Sequence, residues 1–393
     1  MSDDGAISLC LSGGGFRAAV FHLGALRWLN ECGILPRLVT ISCVSGGSIV
    51  GAHLAYRFRD RWPTAPVPTP AWNDDIVELF WNCVNQDLRT WPVVVRFLSP
   101  FNWFRPPTTV AALIKQYVTY LLEGHDIPLS DLQEMPRFVF CATDMVFGVN
   151  WEASHQRVGD FEAGYSQPPE THWTLARAVA ASSCFPPVFP PAMTHLGPHQ
   201  LTGGDYQEPD RDRKIRQIRL TDGGVYDNLG LQPVNRDTNV LVSDGGGAMQ
   251  FSLVNLPWRR LARYPALLQN AIGKLRKSAL MRDYNAEVKS GAYWGIAAGP
   301  ERGGVFPTKE QAQSIAEIRT DLNRFTRAEF EILENHGYLA AAERTTAKCP
   351  HFLRGSTPLS SVVPPYPQCW LDSPGYRRAL KYSSRRFVPY SLR

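Results

Sequence analysis

The chain has 393 residues, 44% hydrophobic and 20% charged, with a formal net charge of +5. This balance fits a globular protein with a large core, organised as one enlarged domain or two ordinary ones. No apolar run approaches the ~20 residues that span a bilayer, and eight scattered cysteines without a CxxC pair suggest no zinc or disulfide framework.

In chain order, Met1 to Gly5 show no basic region ahead of an apolar one, so no secretory leader is expected and a reducing cytoplasm is the expected location. Ile7 to Leu11 reads as a strand, followed by Ser12-Gly13-Gly14-Gly15 and a helix from Phe16 to Glu31 that ends at Gly33. That helix is apolar on most sides, which predicts packing against a sheet. Leu38 to Ser42 reads as a second strand, and Cys43-Val44-Ser45-Gly46-Gly47-Ser48 leads into a second helix. Two strand–turn–helix units in succession predict a three-layer α/β/α fold with a mainly parallel central sheet.

Residues 62–107 interrupt this rhythm with prolines and aromatics, among them Trp62, Trp72, Phe80, Trp91, Phe101, Trp103 and Phe104, and read as an insertion. Strand-like runs return at Phe138 to Ala142 and at Asn239 to Ser243. Residues 251–347 have a helical pattern and are expected to pack on the core. Residues 348–393 form a Pro-rich basic extension, ordered or flexible, which leaves 1–250 as the expected catalytic domain.

Ser45 sits where a strand turns sharply into a helix, with small neighbours that let the backbone fold tightly, a geometry that exposes a nucleophilic hydroxyl. The run Gly13-Gly14-Gly15 offers backbone amides that can approach a developing oxyanion, helped by the helix start and by the charge of Arg17. The same run followed by Ala18 also satisfies a dinucleotide-binding pattern. That fold wants an acid at the end of the second strand to hold a ribose, and here the strand ends in a serine.

Asp222, at the end of the alternating run Ile215 to Leu220 and followed by Gly223 and Gly224, presents a carboxylate with nothing crowding it. A desolvated carboxylate that meets the hydroxyl directly can act as its base. Asp244, followed by Gly245 and Gly246, is a competitor; Asp222 is preferred because Asn228 completes a recognisable turn.

These blocks resemble the patatin-like phospholipases, whose pattern is a glycine-rich oxyanion loop with a basic residue, a serine elbow and a DG[GA] motif. The chain shows Gly13-Gly14-Gly15-Phe16-Arg17, Cys43-Val44-Ser45-Gly46-Gly47 and Asp222-Gly223-Gly224 in that order. A fourth block, Ala181-Ser182-Ser183-Cys184-Phe185-Pro186-Pro187-Val188-Phe189-Pro190-Pro191, is similar to the family's Pro-rich segment near the site. Two positions depart from the pattern: Cys43 replaces the elbow's first glycine, and Ala18 stands where many members have glycine. The resemblance covers residues 7 to 247. It implies a Ser45–Asp222 dyad, acyl-enzyme chemistry on phospholipid or lysophospholipid esters, and no metal or other cofactor.

Two other readings stand beside it: a non-catalytic acyl-lipid-binding protein on the same fold, and a Ser-His-Asp triad. A triad in hydrolase order has only His336 and His351 after the acid; His336 reads as a helix C-terminal residue and His22 as packed inside a helix. Trp258 to Arg282 carries seven cations and no acid, and Leu268, Ile272, Leu275 and Ala279 share one helical face beside Lys274 and Lys277. Peripheral contact with an anionic membrane is therefore weighed against ordinary packing of that face; no nucleic acid is expected.

Overall fold

The computed structural model of the chain describes residues 5–97, 107–186, 188–247, 257–299, 305–354 and 359–371, with 373, 374, 376, 380 and 383. Strand β1 (Ile7–Leu11) is buried at every position, as expected for a strand covered on both faces. It lies parallel between β2 (Leu38–Val44) and β9 (Asn239–Asp244). β3 (Arg137–Asp144) extends the parallel sheet beyond β2, and β10 (Ser290–Gly295) beyond β9.

Past β3 the direction changes. β4 (Asn150–Ala153), β5 (Val158–Asp160) and β6 (Gly164–Ser166) continue the sheet antiparallel. β8 (Arg219–Asp222) pairs antiparallel with β3 and with the two-residue β7 (Ala192–Met193). The ten-stranded sheet is thus mixed. The expected parallel order holds across β10-β9-β1-β2-β3, the half that carries the glycine loop and the serine turn, and not beyond it.

Side-chain alternation divides the two faces. Leu9, Leu11 and Leu241 join the main core with helix α1 (Gly15–Glu31) and the helix Arg327–Lys348. Cys10, Val240 and Val242 point the other way, onto Leu229, Val234 and Leu280 of the helix Pro257–Asn285. The architecture is α/β with helices on both faces.

α1 and the helix Arg327–Lys348 pack backbone to backbone. A Cβ built on Gly24 would lie 1.9 Å from the Glu334 carbonyl oxygen, and one on Gly337 would lie 1.8 Å from that of Phe21. Only glycine permits this approach. A buried Arg27–Glu334 ion pair at 2.6 Å and a hydrogen bond from Trp28 Nε1 to Thr345 Oγ1 complete the seam.

Three expectations change. Residues 251–347 are not helical throughout, because β10 adds a strand to the central sheet. In the aromatic segment, Trp62, Trp72 and Phe80 are core residues while Trp91 is exposed; Phe101, Trp103 and Phe104 lie outside the described residues. In the C-terminal extension, Phe352, Val362, Trp370 and Tyr376 are buried, so those described parts are docked on the body. Among the described residues no helix is long and apolar enough to cross a membrane.

Candidate active site

β2 delivers the chain to Ser45 and helix α2 (Gly46–Arg57) carries it away. Between them Ser45 takes φ 51° and ψ −111°, a conformation that costs a non-glycine residue about 1–3 kcal/mol and persists only when its surroundings impose it. The small neighbours make the turn fit. A Cβ on Gly46 would lie 2.2 Å from the Gly15 carbonyl oxygen, and one on Gly47 would lie 2.2 Å from that of Leu11. Cys43, at the elbow's departed position, is buried with its sulfur against Gly51, where a Cβ would lie at 2.4 Å. A glycine further along α2 absorbs the larger side chain.

The turn is held by Ser182, near the end of the helix Leu175–Ser183. The Ser45 amide donates to Ser182 Oγ at 2.9 Å, and Ser182 Oγ donates to the Cys141 carbonyl at 2.5 Å. With that single proton spent, the 2.7 Å contact to Ser48 has Ser48 Oγ as its donor. The Ser182 carbonyl also accepts from the Gly223 amide at 3.2 Å. One buried serine therefore ties the elbow, β3 and the turn after Asp222 together. The sequence marks this block only as a pattern; nothing local reveals the junction.

Asp222 ends β8, fixed through its carbonyl by Thr143 Oγ1 at 2.9 Å. Gly224 N donates to its Oδ1 at 2.8 Å. Burial raises its pKa, and hydrogen bonding from the Ser45 side chain and the Gly224 amide lowers it in part, leaving it at about 6. Asp222 Oδ2 nevertheless has no partner at full hydrogen-bond geometry. The hydroxyl–carboxylate contact is loose, as in many unliganded sites. Ser45 and Asp222 are thus brought together from β2 and β8, which pair one after the other along the same side of β3.

Asp244 is placed otherwise. Tyr293 Oη donates to its Oδ2 at 2.6 Å and Gly246 N to its Oδ1 at 2.9 Å, so both oxygens are engaged. The three histidines weighed for a triad meet other groups, His351 contacting Ser290 Oγ at 3.2 Å. His22 lies between Ser243 Oγ and the Ser12 carbonyl, and His336 contacts the Ile296 carbonyl at 2.7 Å. Burial pulls both pKa values down to about 4. His336 sits inside the helix Arg327–Lys348 and not at its end as expected.

The glycine loop abuts the elbow: a Cβ on Gly13 would lie 3.2 Å from Ser45 Cβ. Gly14 and Gly15 have φ 143° and 59°, conformations that L side chains rarely adopt. Their amides have no acceptor among the described residues, whereas the Gly13 amide donates to the Asn228 carbonyl at 3.1 Å. Gly13 therefore shapes the loop without a free donor, a correction to its expected role.

Arg17 is held by backbone carbonyls through its terminal nitrogens. Its Nη1 donates to the carbonyls of Ala316 and Ile318, and its Nη2 to those of Gly245 and Gly246. These four bonds brace the loop, while the buried Nε–H of Arg17 has no partner among the described residues. The Gly46 amide, likewise without an acceptor among the described residues, is a donor that the sequence reading missed. Its signal was its place directly after Ser45.

A polar cavity of about 250 Å³, bordered by Arg27, Glu31, Asp74, Glu78, Tyr338 and Tyr366, includes neither Ser45 nor Asp222. Two of its acids are already paired, Glu31 with Tyr338 and Glu78 with Arg327.

The profile of the family described as patatin-like phospholipase matches residues 9–234. No curated protein matches the chain. Among solved structures the chain is similar to human GIVD cytosolic phospholipase A2, with 15% identity and a TM-score of 0.35, over 60% of this chain and 41% of that one. It is similar also to VipD from Legionella pneumophila, with 14% identity and a TM-score of 0.34, over 86% of this chain and 66% of that one. The chain spans less than two thirds of the length of either.

Proposed function

The chain belongs to the patatin-like phospholipase family, and we propose that it is a serine hydrolase of carboxylic ester bonds in phospholipids or lysophospholipids. Ser45 Oγ attacks the acyl carbon while its proton passes to Asp222. The carbonyl oxygen, now negative, is held by the amides of Gly14, Gly15 and Gly46. When the ester C–O bond breaks, the leaving alcohol takes the proton from Asp222 and the acyl group stays on Ser45. Water then attacks the acyl-enzyme, gives its proton to Asp222, and releases the fatty acid with Ser45 restored.

The observation that carries this reading is the pairing of a strained, backbone-held serine with a buried carboxylate that keeps one oxygen unengaged. A base whose pKa lies near the working pH transfers a proton efficiently, and burial brings Asp222 to about 6. In this reading residues 1–250 carry the reacting groups, and the later helices and extension support them. The substrate is presented at a lipid surface, so peripheral membrane contact belongs to the same proposal.

A fluorophosphonate probe tests it, since it reacts only with an activated serine. Labelling that maps to Ser45, and is lost with ester hydrolysis in Ser45→Ala, is the expected result. Labelling elsewhere, or hydrolysis undiminished in Ser45→Ala, overturns it. A panel of phospholipids and lysophospholipids with product analysis identifies the bond that is cut.

A further inference from the structure

The helix Pro257–Asn285 is amphipathic in the wrong sense for a protein surface. A surface helix ordinarily turns its apolar stripe inward. Here Tyr264, Leu267, Leu268, Ile272 and Leu275 are exposed, Leu268 at 65% and Leu275 at 71%. Their spacing of three and four residues makes them one stripe, about 16 Å long at 1.5 Å per residue. The opposite side is attached to the body through polar groups along Gln269 to Arg276 and through Leu280, Met281 and Tyr284 beyond them. Gln269 Nε2 donates to the Gly224 carbonyl at 2.7 Å, and Arg276 pairs with Asp227 at 3.4 Å, while Leu280 is buried.

Those attachments place the helix directly on the Asp222-Gly223-Gly224 turn. Val225, next in chain to Gly224, and Phe185, next to Cys184 whose carbonyl accepts from Thr221 Oγ1, are exposed as well. From Trp258 to Arg282 the sequence has seven cations and no acid; Lys274 and Arg282 are exposed, while Lys277 lies over the Tyr293 ring at 4.1 Å. An outward apolar stripe flanked by cations and free of acids is complementary to an anionic lipid surface, which takes apolar side chains beneath its headgroups and attracts each cation.

We propose that the outward stripe of this helix, Tyr264 to Leu275 with Lys274 and Arg282 beside it, is the surface by which the protein seats on an anionic bilayer, placing the Ser45–Asp222 site against the membrane. The partner is the lipid surface itself; the proposal rests on the lipid-ester reading of the site and adds the residues that dock. A second copy of the chain would also cover an apolar stripe, but the exposed Lys274 and Arg282 on each would oppose that contact.

The test is co-sedimentation of the full chain with vesicles of phosphatidylcholine alone and with added phosphatidylserine. Wild type and Ser45→Ala are both expected to bind the anionic vesicles, less so as salt rises, and to bind the neutral ones weakly. Because Ser45→Ala lacks the nucleophile, its binding is independent of whether the hydrolase reading holds. Leu268→Asp combined with Leu275→Asp is expected to lower binding about tenfold or more, with hydrolysis of a water-soluble short-chain ester unchanged. Lys274→Glu, which alters no apolar side chain, is expected to reduce the preference for anionic vesicles. Wild-type binding absent from both vesicle types, or binding unaltered in both variants, overturns the proposal. So does a wild-type dimer, seen by sedimentation velocity, that the leucine variant converts to monomer while vesicle binding is unaltered.

Discussion

Replacing Asp222 by asparagine separates the thermodynamic cost of a buried carboxylate from its chemical use. The carboxyl titrates near 6 in the folded chain because burial disfavours its charged form, against 3.8 when exposed. At about 1.4 kcal/mol for each tenfold change in proton affinity, the ionised group costs the folded state about 3 kcal/mol. The sign follows from which state releases the proton first. Below pH 3.8 both states are protonated and there is no cost. Between 3.8 and 6 the unfolded chain ionises first, so this group makes stability fall as pH rises. Above 6 the cost is complete. The asparagine side chain is not ionisable and its oxygen can still accept from Gly224, so Asp222→Asn is expected to melt above wild type at about pH 8. The difference should shrink toward zero by about pH 4. Hydrolysis should be lost at every pH, and wild-type kcat/KM should fall as pH drops through about 6. Thermal melts of both proteins across that range, read beside ester turnover, check this. A melting difference that is the same at both ends of the range, or full turnover in Asp222→Asn, would refute the reasoning.

Ser182→Ala removes the acceptor of the Ser45 amide and the donor to the Cys141 carbonyl. It should cost about 1–3 kcal/mol of stability and lower kcat more than it raises KM; unchanged kcat would show that the elbow stands without it. Gly46→Ala drives a methyl group into the Gly15 carbonyl, so the glycine loop proposed to hold the oxyanion must shift. The expected loss is about 10²–10³ in kcat, read from steady-state rates on a soluble ester. Gly24→Ala, far from the site, inserts a methyl group between two touching helix backbones and should destabilise the fold by about 1–3 kcal/mol, seen as a lower denaturation midpoint.

Some of this protein is decided within a few residues of chain. The strands Ile7–Leu11 and Asn239–Asp244 are legible as short apolar runs, because a strand covered on both faces needs apolar residues throughout. The positive φ of Gly14 and Gly15, and the tight approach of Gly46 to the loop, are steric demands that a glycine announces by itself. For that reason the glycine loop, the serine turn and the Asp222 turn can be picked out from sequence alone.

Partners drawn from distant parts of the chain cannot be picked out that way. Arg17 reads as a charge beside an oxyanion until Ala316 and Ile318, far along the chain, accept its N–H groups. Asp222 and Asp244 look alike locally, and they differ because Tyr293 on β10 engages one of them. β10 itself lies in a stretch with a helical pattern, and only the edge of β9 makes a strand of it. Ser182 becomes a junction solely through where Cys141, Ser45 and Gly223 arrive around it. A side chain's periodicity and steric needs are written locally, whereas a hydrogen bond's free energy depends on which partner the completed fold brings within about 3 Å.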